Sequence, residues 1–252
     1  MPTGRMMRIQ RHRPSEWLAS HRVHTAVVID VIRMTSTAAT LIRRPACREL
    51  LVAAGPETLA RLGLPLSDLV LISELAGLSG AGLRVDNSPA QVARLELGNR
   101  TPLLVTTNGT RALFRAAEVA ERVLLASFLD VRAVAAHLTA NEEPSVAILP
   151  AGDFRSGESR IEDERCAEAL ELLLAGREPE FAAYEAEVRS EPRVRYRIAH
   201  EPGFADDLDL SLRSDPGSPV LQFQQVDIGI GRIFRALGSD AERDGLPTSP
   251  GS

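Results

Sequence analysis

The 252-residue sequence predicts an α/β protein: a three-layer α/β/α sandwich with a largely parallel central sheet and a C-terminal extension. Two observations predict it. Short, β-branched apolar runs of strand length alternate with helical patterns from Thr25 to Ala175. Several of these runs, such as "TAVVID" and "DLVLIS", are apolar without interruption, as strands covered on both faces are.

Thr25–Asp30 reads as a buried strand, followed by a helix over Thr35–Arg43. Glu49–Ala53 is the second strand, and Pro56–Leu62 a helix with proline in its first turn. Asp68–Ser73 is the third strand, and a glycine-rich loop runs from Leu75 to Asn87. Ser88 caps a helix that opens at Pro89 and reaches Leu97. Then come a strand over Pro102–Thr106, a helix over Thr110–Val119, and a strand over Arg122–Ala126. A helix over Asp130–Thr139, a strand over Ser145–Leu149 and a helix over Ile161–Ala175 follow. Pro179–Val188 reads as a helix, "EPGFADDLDLSL" as a loop and helix, and Val220–Val226 as a late strand. Residues 1–237 are expected to form one domain. The polar, Gly/Pro/Ser-rich residues 238–252 are expected to be a disordered tail.

Composition narrows the chemistry. The chain is 44% hydrophobic and 25% charged, enough for a core without disulfide or metal staples. Its net charge of −5 argues against a nucleic-acid partner. It contains no lysine. That removes the P-loop, Schiff-base and pyridoxal chemistry, and protein-kinase chemistry, all of which need a lysine amine. Two distant cysteines, Cys47 and Cys166, and an N-terminus without an apolar leader point to the cytoplasm. No run approaches the ~20 apolar residues of a membrane helix, so no membrane partner is expected. The length is compatible with a homodimer.

In open α/β sheets ligands bind beyond the carboxyl ends of the strands. The first strand delivers Asp30, Arg33, Thr35 and Ser36 there. Asp30 suits Mg²⁺ or acid/base chemistry, with Arg33 holding an anion beside it; a helix cap with a surface arginine is the plainer reading. The third strand delivers Glu74, and the loop before the next helix Asn87 and Ser88. The fourth ends in "TTNGTR", Thr106 to Arg111, which reads as an anion cradle. Gly109 would permit a tight turn, Thr107, Asn108 and Thr110 would offer small polar contacts at a helix start, and Arg111 a guanidinium fork. A simple strand-to-helix turn would look the same. The fifth strand delivers Ser127. Glu162 and Asp163 lie in the first turn of a helix, where acids also favour the dipole. The five histidines show no metal-ligand spacing. A phospho-aspartate DxDxT motif fails because Ile32 occupies its second acidic position.

Together and in this order, "VVIDVIRMTS", "SEL", "DNSP", "TTNGTRAL", "PAG", "IEDERC" and "GFADDL" resemble the 2-phosphosulfolactate phosphatases, from Val27 to Leu208. The resemblance implies a Mg²⁺-dependent phosphoric monoester hydrolase. Its reaction converts 2-phospho-3-sulfolactate to 3-sulfolactate and phosphate, a step towards coenzyme M. From their convergence at the strand ends, Asp30 and then Glu74 or Asp163 are the expected metal ligands, and Asp30, Arg33, Glu74 and Asp163 the expected catalytic groups, with Asp30 or Asp163 as the acid or base. Thr35, Ser36, Asn87, Ser88, Thr107, Asn108, Gly109, Thr110, Arg111 and Ser127 are the expected substrate contacts. Leu75 stands where the family usually carries an arginine. A phosphatase for another phosphorylated hydroxy acid, or a non-catalytic binder of anionic metabolites on the same fold, would share these motifs.

Overall fold

A computed structural model describes residues 7–12, 16, 22–75, 82–153, 156–215 and 217–236. The expected tail over 238–252 and the middle of the glycine-rich loop, 76–81, lie outside the described residues.

The first half of the chain runs β1 (Arg8–Arg11), β2 (Val23–Ile29), α1 (Met34–Ile42), β3 (Glu49–Ala53), β4 (Leu69–Ile72) and β5 (Leu83–Val85). Then follow α2 (Pro89–Arg94), β6 (Thr101–Leu104), α3 (Gly109–Val119), β7 (Ala120–Ala126), α4 (Val131–Ala140) and β8 (Ser145–Pro150). The last third is helical through α5 (Ile161–Leu174), α6 (Phe181–Ser190), α7 (Pro192–His200) and α8 (Phe204–Ser211). It ends in the hairpin β9 (Leu221–Asp227) and β10 (Ile230–Arg235). Among the described residues no helix is long and apolar enough to cross a membrane.

The protein is α/β, with one large, mostly parallel sheet flanked by helices. Its strand order is β1-β8-β2-β7-β9-β10-β3-β6-β4-β5. The C-terminal hairpin is thus not peripheral: it joins two parallel halves, pairing antiparallel with β7 on one side and β3 on the other. Three successive antiparallel pairings reverse the second half relative to the first. In a flat sheet, the residues after β2 and after β4 would then face opposite edges. Strand twist lets the sheet coil instead. Both halves wrap α1 and α3, so Ala26 and Val28 of β2 share one core with Val70 and Ile72 of β4, Met34 and Leu41 of α1, and Leu113 of α3. This coiling brings the two sets of strand ends to one place. A second core packs α4 to α8 on the outer face of β2, β7 and β8.

Several elements differ from expectation for local reasons. Pro56–Arg61 is a 3₁₀ helix with no fully buried residue, and only Leu59 within it packs against a core, too little to sustain a full α-helix. After α2 the chain is extended from Leu95, which lets Leu95 and Leu97 both point into the core. β5 lies within the expected glycine-rich loop, and β1, α7 and β10 fall where no element was expected.

Candidate active site

The ends of four strands open onto a cavity of about 180 Å³. β2 delivers Asp30 and, just beyond it, Ile32 and Arg33; β4 delivers Glu74. β6 delivers Thr106, Thr107 and Asn108, and β8 delivers Gly152. Asn87, from the turn before α2, also lines it. The first turn of α5 adds Glu162 and Asp163, with Arg160 just ahead of it, and α7 adds Arg193 and Arg197.

Four carboxyl groups crowd this space. Asp30 is 8% exposed, and its carboxyl is pushed up to about 7 by burial first and then by the charge of Glu74. The N–H groups of Met34 and Gly109 pull it the other way. Asp163 is raised well above the usual carboxylate range by burial, then by Glu162 and Asp30. Its oxygens accept the N–H groups of Val31 at 2.8 Å and Gly152 at 3.0 Å, which fix it between the ends of β2 and β8. Thr107 donates twice to Glu74 Oε1, from its N–H at 2.7 Å and its hydroxyl at 3.0 Å. Glu74 Oε2 and Asn87 Oδ1 are buried with no hydrogen-bond partner. Orphaned buried acceptors are rare. Two of them, on residues lining one acid-rich cavity, are acceptors that a positive group could satisfy.

The start of α3 behaves differently from the expected ligand cradle. Its N–H groups are taken by the protein's own side chains: Thr107 N–H by Glu74, Gly109 N–H by Asp30, and Thr110 N–H by Thr106 Oγ1 at 3.1 Å. The positive end of the helix therefore steadies the cavity's carboxylates. Gly109 is also explained differently. Its φ is outside the left-handed region, so no tight turn requires glycine. A Cβ there would overlap Asp30 Oδ2 and stand 2.5 Å from Met34 Cε. Glycine leaves the room that Asp30 fills.

Four arginines face the carboxyl cluster, each oriented by an acid. Arg33 donates from Nη1 to Asp207 Oδ2 at 2.7 Å, and its Nη2 pairs with Asp86 at 2.8 Å. Asp207, on α8 and 2% exposed, also accepts Ser88 Oγ at 2.5 Å and Ala90 N–H at 3.1 Å. One carboxylate so ties Arg33 to the turn that carries Asn87. Arg160 donates to Asp153 at 2.8 Å, Arg193 to Glu162 at 2.6 and 2.9 Å, and Arg197 to Glu201 at 2.9 Å.

Of the residues singled out from sequence, Asp30, Arg33, Glu74, Asn87, Thr107, Asn108 and Asp163 line the cavity. Others sit behind it. Thr35 Oγ1 donates to the Asp30 carbonyl at 2.8 Å and Ser36 Oγ to that of Val31 at 2.8 Å, fastening the turn after β2. Thr110 Oγ1 bonds the Thr106 carbonyl, Ser88 caps α2, and Ser127 donates to buried Asp130. Arg111 is on the exposed face of α3, outside the cavity, because Gly109 and Thr110 take the inward positions of that turn. The sequence reading missed Arg160, Arg193 and Arg197. Only the neighbouring motifs "IEDERC" and "GFADDL" pointed towards their region.

The cavity offers oxygen donors of the kind a hard cation takes. Among the described residues no cluster of three or more His, Cys, Asp or Glu side chains is placed to hold a metal. Asp30, Glu74 and the Asn87 amide oxygen are hard oxygen donors, and Mg²⁺ typically takes one or two carboxylates and keeps several waters. A cation there would also relieve the repulsion that raises Asp30.

The profile of the 2-phosphosulpholactate phosphatase family matches residues 11–213. A "Probable 2-phosphosulfolactate phosphatase" of Thermus thermophilus is 34% identical over 218 residues, 85% of this chain and 83% of that protein. One of Deinococcus radiodurans is 38% identical over 158 residues, 62% of this chain and 64% of that protein, just under two thirds of its length. One of Symbiobacterium thermophilum is 37% identical over 165 residues, 65% of this chain and 67% of that protein. The matched residues reach from the end of β1 past α8, covering every described residue that lines the cavity. The chain belongs to the 2-phosphosulfolactate phosphatase family.

Proposed function

We propose that the protein is a cytoplasmic, Mg²⁺-dependent phosphatase that hydrolyses 2-phosphosulfolactate to sulfolactate and inorganic phosphate. The observation that carries the reading is the pairing, in one cavity, of an acid cluster holding two orphaned acceptors with four acid-oriented arginines. A small polyanion needs both: cations for its charges, and a metal that lets its phosphate sit among carboxylates.

Asp30, Glu74 and Asn87 would hold Mg²⁺. Bound there, the ion supplies Lewis-acid polarisation of a phosphoryl oxygen. Thr107 fixes Glu74 through Oε1, leaving Oε2 as the donor. Arg33, locked by Asp207 and Asp86, places fixed positive charge where negative charge gathers on the phosphoryl oxygens. Asp163, raised above the usual carboxylate range by burial and then by Glu162 and Asp30, would be the group that gives a proton to the departing alkoxide oxygen. The hydrolysis balances with one water: its oxygen goes to phosphorus, the ester P–O bond breaks, and sulfolactate leaves as the alcohol.

The test is phosphate release from 2-phosphosulfolactate with Mg²⁺ and with EDTA, for the wild type and Glu74→Gln. The expected result is Mg²⁺-dependent turnover in the wild type. In Glu74→Gln it should fall by about 100-fold or more, the scale of losing a metal ligand or its support. Turnover that resists EDTA, or survives Glu74→Gln, refutes the assignment.

A further inference from the structure

Among the described residues that line the cavity, Thr106 and Thr107 carry hydroxyls, and none is serine, cysteine or histidine. Thr106 serves the fold. It is 2% exposed, and its Oγ1 accepts the Thr110 N–H at 3.1 Å. Thr107 is half-buried, and its Oγ1 donates to Glu74 Oε1 at 3.0 Å. The same carboxylate oxygen accepts the Thr107 N–H at 2.7 Å, so the main chain holds Glu74 against the hydroxyl. A hydroxyl whose proton points at a carboxylate, with that carboxylate oriented by a further group, is the arrangement of an activated nucleophile. With its proton turned to Glu74, Thr107 Oγ1 keeps its lone pairs for another atom.

The other carboxyl groups of the cavity are engaged differently. Asp30 accepts the N–H groups of Met34 and Gly109, Asp163 those of Val31 and Gly152, and Glu162 is bonded to Arg193. Glu74 and Thr107 follow β4 and β6, whereas Asp163 is fixed at the ends of β2 and β8, in the other half of the sheet. A nucleophile from one half and an acid from the other suit an in-line displacement at phosphorus, in which the attacking and departing oxygens lie on opposite sides.

We infer that Thr107 is the nucleophile of this cavity and that the phosphoryl group passes through a phosphothreonine at this position. The inference rests on the phosphatase reading for its substrate, but it claims a route which that reading does not require, since direct attack by water gives the same products. In the first step Thr107 Oγ1 bonds to phosphorus and gives its proton to Glu74 Oε1. The ester P–O bond breaks, and the departing alkoxide oxygen takes the proton of Asp163. In the second step the oxygen of a water bonds to phosphorus, and that water gives a proton to Asp163. The P–Oγ1 bond breaks, and Thr107 recovers its proton from Glu74. The two steps sum to hydrolysis by one water.

The deciding experiment needs no variant. A thiophosphate analogue of 2-phosphosulfolactate, made chiral at phosphorus with oxygen isotopes, is hydrolysed in isotope-labelled water by the Mg²⁺-loaded wild type. Two in-line displacements retain the configuration and one inverts it. Retention is expected, and inversion overturns the inference. Acid quenching during turnover of the radiolabelled ester then identifies the residue. An acid-stable phosphothreonine is expected in the wild type and a phosphoserine in Thr107→Ser, whereas an acid-labile acyl phosphate puts the nucleophile on a carboxylate and overturns it. Where the second step outruns the quench, Thr107→Val decides. Valine keeps the shape and the main-chain N–H that holds Glu74, so a purely positioning role loses one hydrogen bond, about 10-fold in kcat. Loss of the nucleophile costs about 100-fold or more. Retention with a smaller loss in Thr107→Val places the nucleophile elsewhere and overturns the inference. Phosphate release with inversion fails the inference alone. A wild type that releases no phosphate from the ester fails the phosphatase reading, and the inference falls with it.

Discussion

Gly109→Ala tests how tightly the carboxylate site is built. A methyl group at this position would overlap Asp30 Oδ2 and lie 2.5 Å from Met34 Cε and 2.7 Å from Met34 Cβ. Neither neighbour yields cheaply. Met34 is fully buried, and the Asp30 carboxyl is bonded to the N–H groups of Met34 and of residue 109 itself. Forcing extra volume into such a site costs about 1–3 kcal/mol. Residue 109 opens α3 with an ordinary backbone, so alanine recovers up to about 1 kcal/mol of helix propensity. The net expectation is a destabilisation of about 1–2 kcal/mol, or a Tm lower by about 2–8 °C. The larger effect is on turnover. Asp30 is the group that must move, and a displacement of about 1 Å in a reacting constellation costs on the order of 100-fold in kcat. Urea melts and phosphate-release assays on purified Gly109→Ala read the two effects separately. Arg111→Ala, two residues on and exposed, serves as the control and should stay within about 0.5 kcal/mol of the wild type in stability. A Gly109→Ala protein as stable and as active as the wild type would refute the reasoning.

Asp130 carries a pH-dependent prediction. It is fully buried, burial pushes its carboxyl up to about 7, and its Oδ2 has no partner. The folded state therefore binds this proton more tightly than the unfolded chain does. The stabilisation is complete below about pH 4, is lost as the pH rises towards 7, and is absent above that. Asp130→Asn should flatten the slope. It should raise stability at pH 8 by about 1–3 kcal/mol, since the ceiling of about 4 kcal/mol is reduced by the unpartnered amide N–H it introduces. Urea melts at pH 5 and pH 8 check this, and an unchanged difference between the two pH values would contradict it. Asp207→Asn should lower kcat more than it raises KM, because it loosens Arg33 and the Asn87 turn together while leaving the α7 arginines in place. Steady-state kinetics with 2-phosphosulfolactate decide it, and a pure KM effect would contradict a positioning role.

The strand-end part of the acidic half was legible in the sequence because Asp30, Glu74 and Thr107 each follow a continuous apolar run. Asp30 ends "AVVI", Glu74 follows "LVLI" with one serine between, and Thr107 follows "PLLV" and Thr106. A polar residue at such a place lies at a strand end, whatever the strand order proves to be. The basic half was not legible. "PRVRYRIAH" has an arginine at every second position from Arg193 to Arg197, which reads as a solvated surface until α6 and α8 set which face turns inward. Only Val194 of this helix is buried, so no apolar stripe announces it. β1 and β5 escaped for a related reason, since both are short edge strands with polar residues and carry little hydrophobic pattern. The role of Gly109 was invisible because the group it makes room for is 79 positions earlier in the chain.

The two halves of the site also have different structural origins. Asp30, Glu74 and Thr107 are fixed by strand ends and by the start of α3, so moving any of them disturbs the shared core that α1 and α3 build with both halves of the sheet. Arg193 and Arg197 stand on a helix tied down by Glu162, Glu201 and Phe204, with one buried apolar residue of its own. Arg197 pairs with exposed Glu201, so its substitution costs the fold little, whereas substitution of Arg193 would leave Glu162 buried and unpaired. The same separation bears on Leu75. An arginine after Glu74 would reach out from the rigid half, whereas here Leu75 packs beside Leu69 and Leu71 of β4. The positive charge of this cavity comes instead from Arg33 and from the segment between Arg160 and Arg197.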